Sequence, residues 1–280
     1  MKIENLKLKD YFPSLADSEA SVDAYIQTYD GELDVKDRPA MIIFPGGGYS
    51  ITSHRESEPV ALAFASRGYQ TFVVWYSCAP AQYPQQLIEG SAAVALVRKN
   101  AEHFELDPKH ISVLGFSAGG HLAGMVSSLY GEQVVVDALG EEPSVMRPDS
   151  CVLCYPVVTL GEKTHVGSRC CLLGTNKEDP EMIRKLSLEN AVTENTPPTF
   201  IWTTANDDAV PSENSLLLAL ALKAHNVPYE LHVFGDGSHG LSLADMELTP
   251  MHWMPENFDV RIKSWVDLCH AWLRRQAGKA

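Results

Sequence analysis

Ser117 stands in Gly115-Phe116-Ser117-Ala118-Gly119-Gly120, directly after Ile111-Ser112-Val113-Leu114 and directly before an apolar run over residues 121–129. Strand, sharp turn and helix in that order push a serine hydroxyl out of the packed sheet. The backbone can reverse there only if the residues two before and two after the serine are small. Gly115 and Gly119 meet that demand. The same turn leaves the Ala118 N–H free at a helix N-terminus, where developing negative charge is favoured. The segment reads as a nucleophile elbow; the plainer alternative is a Gly/Ser-rich turn.

A serine nucleophile needs a base to take its proton and a group to hold that base in one tautomer. Asn206-Asp207-Asp208-Ala209-Val210-Pro211 follows a strand pattern over residues 200–204, and Gly235-Asp236-Gly237-Ser238-His239-Gly240 follows another over residues 229–234. Both loops leave C-terminal strand ends, where open α/β sheets carry their functional loops. Asp207 and Asp208 compete for the orienting role. Among ten histidines, His239 alone combines the right chain order with a loop of small residues. His121, four residues beyond Ser117, is expected to point into the packing beneath the elbow. His225, His232 and His270 fall within regular elements. Serine, acid, histidine is the chain order of α/β-hydrolases, and differs from that of chymotrypsin or subtilisin.

The fourth element is Phe44-Pro45-Gly46-Gly47-Gly48-Tyr49, which leaves the apolar strand pattern Met41-Ile42-Ile43-Phe44. Glycines let backbone N–H groups approach an oxyanion without side chains in the way. A phosphate loop is the rival reading, but there is no G-K-[ST] ending and no G-x-G-x-x-G spacing opening a helix.

These groups need a scaffold, and the chain has the composition for one. Its 280 residues, 45% of them apolar, suffice for one large α/β domain or two small ones. Strand and helix patterns alternate from about residue 40 onward, which predicts a mostly parallel sheet with helices on both faces. Strands are expected at residues 41–44, 69–76, 111–114, 151–155, 200–204 and 229–234. Helices are expected at residues 58–67 (ending at Gly68), 86–100, 212–225 (capped by Ser212) and 257–276. Residues 1–38 form an N-terminal segment with one antiparallel edge strand at 20–29. Residues 131–148 read as a surface connection. Residues 159–196 read as an insertion, helical only at 182–188, that could flank the site. No linker forces a second domain, so a single domain over residues 1–280 is expected.

A net charge of −14 argues against nucleic acid and anionic membrane surfaces as partners. No stretch approaches a membrane span, and residues 1–7 contain no apolar core of a secretory leader. The six cysteines suggest neither a disulfide framework nor a zinc ligand set. Cys151 and Cys154 lie in an apolar strand pattern and read as small core residues. A cytoplasmic location fits this usage.

The combination Pro45-Gly46-Gly47-Gly48-Tyr49, Arg55-Glu56-Ser57-Glu58-Pro59, Gly115-Phe116-Ser117-Ala118-Gly119-Gly120-His121-Leu122, Asp207 with Val210-Pro211-Ser212-Glu213-Asn214-Ser215, and Gly237-Ser238-His239-Gly240-Leu241 resembles the small bacterial acetyl-esterase branch of the α/β-hydrolases. Many of its members are described as acetylxylan-esterase-like or carbohydrate esterases. The resemblance spans roughly residues 38–245. It implies an α/β-hydrolase fold without a large separate cap domain, and a serine esterase with neither metal nor organic cofactor. It also favours Asp207 over Asp208, because Asp207 stands three before Val210-Pro211. Pro45 departs from the H-G-G-G loop of hormone-sensitive-lipase-like enzymes but leaves the glycine donors intact.

The expected site is therefore Ser117 as nucleophile, His239 as base and Asp207 as orienting acid, with Gly47, Gly48 and Ala118 as oxyanion donors. Tyr49, Tyr76 and Tyr83 are candidate substrate-lining residues, as are Trp202 and the insertion at 159–196. The substrate implied by the resemblance is a short acyl ester, chiefly acetyl, of a small molecule or an oligosaccharide. Three alternatives share the scaffold: an arylformamidase or other amidase, a peptidase of the prolyl-oligopeptidase type, and a noncatalytic ligand-binding protein. A monomer and a homodimer are both compatible with the sequence.

Overall fold

Continuous apolar runs become inner strands because a parallel sheet covered on both faces has no solvent side. The computed structural model describes residues 1–28, 32, 35, 37–245 and 259–278. Among the described residues there are eight strands, β1 (Lys2–Lys7), β2 (Ser21–Ile26), β3 (Arg38–Phe44), β4 (Gln70–Trp75), β5 (Leu106–Phe116), β6 (Ser150–Cys154), β7 (Thr199–Thr204) and β8 (Tyr229–Phe234). They form one sheet in the order β1-β2-β4-β3-β5-β6-β7-β8. The strands from β3 to β8 are mutually parallel, and β2 pairs antiparallel with both β1 and β4.

Side chains alternate between the two faces along each strand. Ile42, Phe44, Phe72, Val113 and Leu153 enter one apolar cluster, while Met41, Ile43, Val73, Leu114 and Val152 enter the other. The first face is covered by α2 (Gln85–Lys99), α3 (Ser117–Ser128) and α9 (Glu213–Ala224), and the second by α1 (Glu58–Ala65) and α10 (Trp265–Gln276). Cys151 and Cys154, three apart on β6, fall on opposite faces and are buried as core residues. On the second face Trp265 stacks on Trp202 at a centroid distance of 5.5 Å.

Several elements depart from expectation. The N-terminal segment supplies two strands, and β1, not β2, is the edge. β1 is largely exposed, whereas β2 is buried between β1 and β4. The charged residues of β1 hide a strand whose pairing, not its apolar content, places it. β5 starts earlier than the Leu106-Asp107-Pro108 breaker suggests, because Leu106 pairs with Arg38 before a register shift. α1 stops at Ala65, although Gly68 does adopt a positive φ of 95° in the turn beyond it. Ser212 precedes α9 but its hydroxyl makes no cap. The stretch 131–148 contains α4 (Gln133–Leu139) and α5 (Pro143–Met146). The insertion contains α6 (Val166–Leu173), α7 (Pro180–Leu186) and α8 (Leu188–Ala191). Such short helices carry too few turns to show a clear apolar period in sequence. α10 begins at Trp265 after a 3-10 turn at Val260–Ser264. The expected start of that helix at 257–258, and residue 29 of the expected first strand, lie outside the described residues.

His121 ties three of these parts together, as its placement beneath the elbow anticipates. It is fully buried on α3. Its Nε2 lies 2.8 Å from the Leu186 carbonyl, so Nε2 carries the proton and donates. Nδ1 then accepts from the Tyr49 hydroxyl at 2.9 Å. Burial lowers its pKa from 6.5 to about 4, against a smaller opposing effect of the Leu186 bond. Folded His121 thus binds fewer protons than the unfolded residue between these two values, and stability rises with pH across that window. The contribution is complete above about pH 6.5 and lost as pH falls toward 4, with a magnitude of about 3 kcal/mol. Urea unfolding at pH 7 and pH 4.5 should show wild type losing more stability on acidification than His121→Gln, which does not titrate. Equal losses in the two proteins would remove His121 from this role.

Candidate active site

The elbow is shaped by backbone crowding. Ser117 itself adopts φ +53° between β5 and α3, a conformation most non-glycine residues avoid. A Cβ on Gly115 would lie 2.1 Å from the Gly119 carbonyl oxygen, and one on Gly119 would lie 2.2 Å from the Phe44 oxygen and 2.3 Å from that of Pro45. Both glycines are therefore required, and the second lets the end of β3 press against the elbow. The loop leaving β3 is thereby held beside Ser117.

Three chain segments meet there. Ser117 Oγ lies 2.8 Å from His239 Nε2, and His239 Nδ1 lies 2.8 Å from Asp207 Oδ2. The Asp207 side chain is fully buried, and its Oδ1 accepts the N–H groups of Ala209 at 3.0 Å and Val210 at 2.8 Å. A buried carboxylate facing Nδ1 places the imidazole proton there, which leaves Nε2 free to accept from the serine hydroxyl. Asp208, the rival acid, instead accepts the backbone N–H of His239 at 3.3 Å.

The glycine loop turns through positive φ at Gly47 (128°) and Gly48 (65°). Among the described residues, the N–H groups of Gly47, Gly48 and Ala118 donate to no other group of the protein. They can serve an anion at the serine. Two of the three candidate lining tyrosines do not line a site. Tyr49 is fully buried and bonds His121, while Tyr76, only 4% exposed, donates from its hydroxyl to the Pro45 carbonyl at 2.6 Å. Both hold the glycine loop from beneath, because an amphipathic ring next to buried backbone uses its hydroxyl there. Tyr83 is half-buried against the insertion, its N–H bonded to the Leu172 carbonyl at 2.9 Å. Trp202 is core.

Two further residues complete the support, and sequence reasoning assigned neither a role. Glu56, 1% exposed, accepts the Gly46 N–H at 2.8 Å through Oε2 and the Tyr155 hydroxyl at 2.7 Å through Oε1. The Tyr155 ring meets the His239 ring edge-on at 5.0 Å, and its hydroxyl oxygen accepts the Ser242 N–H at 2.9 Å. Burial first, and then the adjacent Glu56 carboxylate, push the Tyr155 phenol well above its ordinary pKa, so it stays a donor. Arg55 donates from Nε to the Gly240 carbonyl at 3.1 Å. One carboxylate thus joins the glycine loop to the histidine loop. The run Arg55-Glu56-Ser57-Glu58-Pro59 was the only signal in the sequence, and it carried no function by itself.

From the insertion, His165 lies against the glycine loop; a Cβ on Gly48 would sit 3.8 Å from its Cε1. A separate cavity of ≈ 500 Å³ opens at the other end of the sheet, lined in part by Arg38, Tyr69, Lys109, Ser150 and His270. It contains none of the groups above. Among the described residues no cluster of three or more His, Cys, Asp or Glu could hold a metal, and no helix is long and apolar enough to cross a membrane.

The parallel sheet with an antiparallel start, and the strand-turn-helix that raises Ser117 at its rim, define an α/β hydrolase. The chain belongs to the BD-FAE family, which it matches over residues 26–222. It is 41% identical over 219 residues to endo-1,4-beta-xylanase B of Butyrivibrio fibrisolvens, covering 76% of this chain and 34% of that protein. It is 29% identical over 206 residues to an acetylxylan esterase of Xylanibacter ruminicola, covering 72% and 40%. The chain thus spans between a third and two fifths of the length of these two relatives. Among solved structures, an acetyl ester-xyloside bifunctional hydrolase from Caldicellulosiruptor lactoaceticus is 38% identical, with a TM-score of 0.81 over 99% of this chain and 97% of that one. The kinship agrees with the resemblance carried by the motifs.

Replacing Glu56 by Gln leaves one of its two buried donors facing an NH2 group instead of an oxygen. An unsatisfied buried group costs about 1–3 kcal/mol. Glu56→Gln should therefore lower the urea midpoint and reduce kcat on p-nitrophenyl acetate about tenfold, with KM less affected, since donors loosen at the reacting atoms. Unchanged kcat would show that Glu56 serves folding alone.

Proposed function

We propose that the protein is a serine carboxylesterase that hydrolyses short-chain acyl esters, foremost acetyl esters of carbohydrates such as xylan-derived oligosaccharides. The observation that carries this reading is the continuous contact Ser117–His239–Asp207, with 2.8 Å at each step. Ser117 Oγ forms a bond to the ester carbonyl carbon as its proton passes to His239 Nε2. The carbonyl electron pair moves to oxygen, where the N–H groups of Ala118, Gly47 and Gly48 receive it. The bond to the alcohol oxygen then breaks, and Nε2–H protonates that oxygen as it leaves. Water, deprotonated by His239, attacks the acyl-serine and releases the acid with Ser117 restored.

Asp207 supports the imidazolium formed in each step without taking its proton. No step requires a metal or an organic cofactor. The acetyl and carbohydrate preference is supported by the names of two relatives, an acetylxylan esterase and an acetyl ester-xyloside hydrolase. All six cysteines are free, which suits a reducing cytoplasm and acetylated oligosaccharides already imported into it.

Ser117→Ala should lower p-nitrophenyl acetate turnover by on the order of 10⁴-fold or more, and abolish labelling by a fluorophosphonate probe. A variant that keeps most of its turnover would overturn the assignment. Across acetyl, butyryl and octanoyl nitrophenyl esters, kcat/KM should fall with chain length. An octanoyl rate equal to the acetyl rate would remove the short-acyl preference, and faster turnover of an aryl formamide or a peptide would replace ester hydrolysis.

A further inference from the structure

One polar side chain at the rim has no part in the steps above. His165 precedes α6, and its Nδ1 accepts the Ser168 N–H at 3.2 Å and lies 2.8 Å from Ser168 Oγ. A ring nitrogen that accepts a backbone N–H carries no proton, so the ring is neutral and its proton sits on Nε2. Among the described residues Nε2 has no hydrogen-bond partner, and it is not a buried atom. The ring is fixed in place. Gly167 packs on it, with a Cβ there only 3.1 Å from Cε1, and a Cβ on Gly48 of the glycine loop would lie 3.8 Å from the same atom. Burial first, then the field of His239, lowers the His165 pKa, while Asp207 opposes them more weakly. His165 is thus a neutral donor within electrostatic reach of the triad.

An acetyl ester limits what such a donor can bind. Its acyl half has one hydrogen-bonding atom, the carbonyl oxygen, and the backbone donors at Gly47, Gly48 and Ala118 take it. A further N–H beside Gly48 can find an acceptor only in the alcohol half. We infer that His165 is a substrate-binding residue, whose Nε2–H donates to a hydroxyl or ring oxygen of the alcohol half of the ester and so selects polyhydroxylated leaving groups. This assignment rests on the carbohydrate-ester reading above. A donor already oriented by its cap loses little freedom on binding, so one hydrogen bond discriminates well.

The test compares methyl xyloside monoacetate with cyclohexyl acetate, a ring of similar size without hydroxyls. His165→Asn keeps an acceptor where Nδ1 stands and caps α6 well, but has no group where Nε2 stands. It should lower the ratio of kcat/KM for the xyloside ester over the cyclohexyl ester by about tenfold or more. His165→Gln places an N–H near the position of Nε2 and should restore the ratio to within about threefold of wild type. An unchanged ratio in His165→Asn, or an equal fall in both variants, would overturn the donor role while leaving the carbohydrate reading intact. Wild-type turnover of cyclohexyl acetate without turnover of the xyloside ester would overturn the carbohydrate reading, and the donor role with it.

Discussion

The structure depends on how closely the end of β3 approaches the elbow after β5. A Cβ on Gly119 would come within 2.2 Å of the Phe44 oxygen and 2.3 Å of the Pro45 oxygen, so the contact is backbone against backbone. Parallel pairing of β3 with β5, through Phe44 opposite Gly115, brings the two strand ends level. The glycine loop therefore leaves the sheet beside Ser117, and among the described residues the N–H groups of Gly47, Gly48 and Ala118 donate to no other group of the protein. Donors held by the fold in this way need no rearrangement to meet a negative charge.

Around that contact, the rim loops are fastened by buried polar groups that find partners in neighbouring segments. Glu56 accepts from Gly46 and Tyr155, and His121 joins Tyr49 to the Leu186 carbonyl. Glu89, also fully buried, accepts from Ser18, from the backbone and hydroxyl of Ser77, and from Gln85, all at 2.6–2.7 Å. Each would be costly to bury unpaired. Each has its acceptors filled, and each crosses between segments far apart in the chain. The rim loops are in this way held by directional bonds, where apolar packing alone would leave them free to slide.

The insertion between β6 and β7 takes its place through the same logic. The Leu186 carbonyl of α7 accepts the His121 Nε2–H, Leu188 N–H donates to the Val158 carbonyl at 2.9 Å, and Asn214 of α9 accepts from the N–H groups of Val158 and Thr159. With its base anchored to α3 and α9, the insertion presents His165 to the glycine loop.

Local rules were enough to read the elbow, the glycine loop and most of the sheet from sequence. Gly-x-Ser-x-Gly reports a backbone reversal that only small residues permit, and apolar runs of four to six residues report strands covered on both sides. The order of Ser117, Asp207 and His239 followed from the strand ends they flank. Other features lay beyond local rules. β1 is placed by pairing with β2, the helices at 131–148 and 159–196 are too short to show a period, and Tyr49 and Tyr76 turn inward because His121 and Pro45 offer partners there. Glu56 and Tyr155 are 99 residues apart, and His239 reaches Ser117 across 122. The sequence by itself determined which residue types meet at the rim, Ser117, Asp207 and His239, since those are written at strand ends. Only the tertiary structure decided which side chains hold those residues together, with Glu56, Tyr155 and His121 buried behind the loops and His165 set against Gly48, because those choices rest on contacts between segments that meet after the sheet has formed.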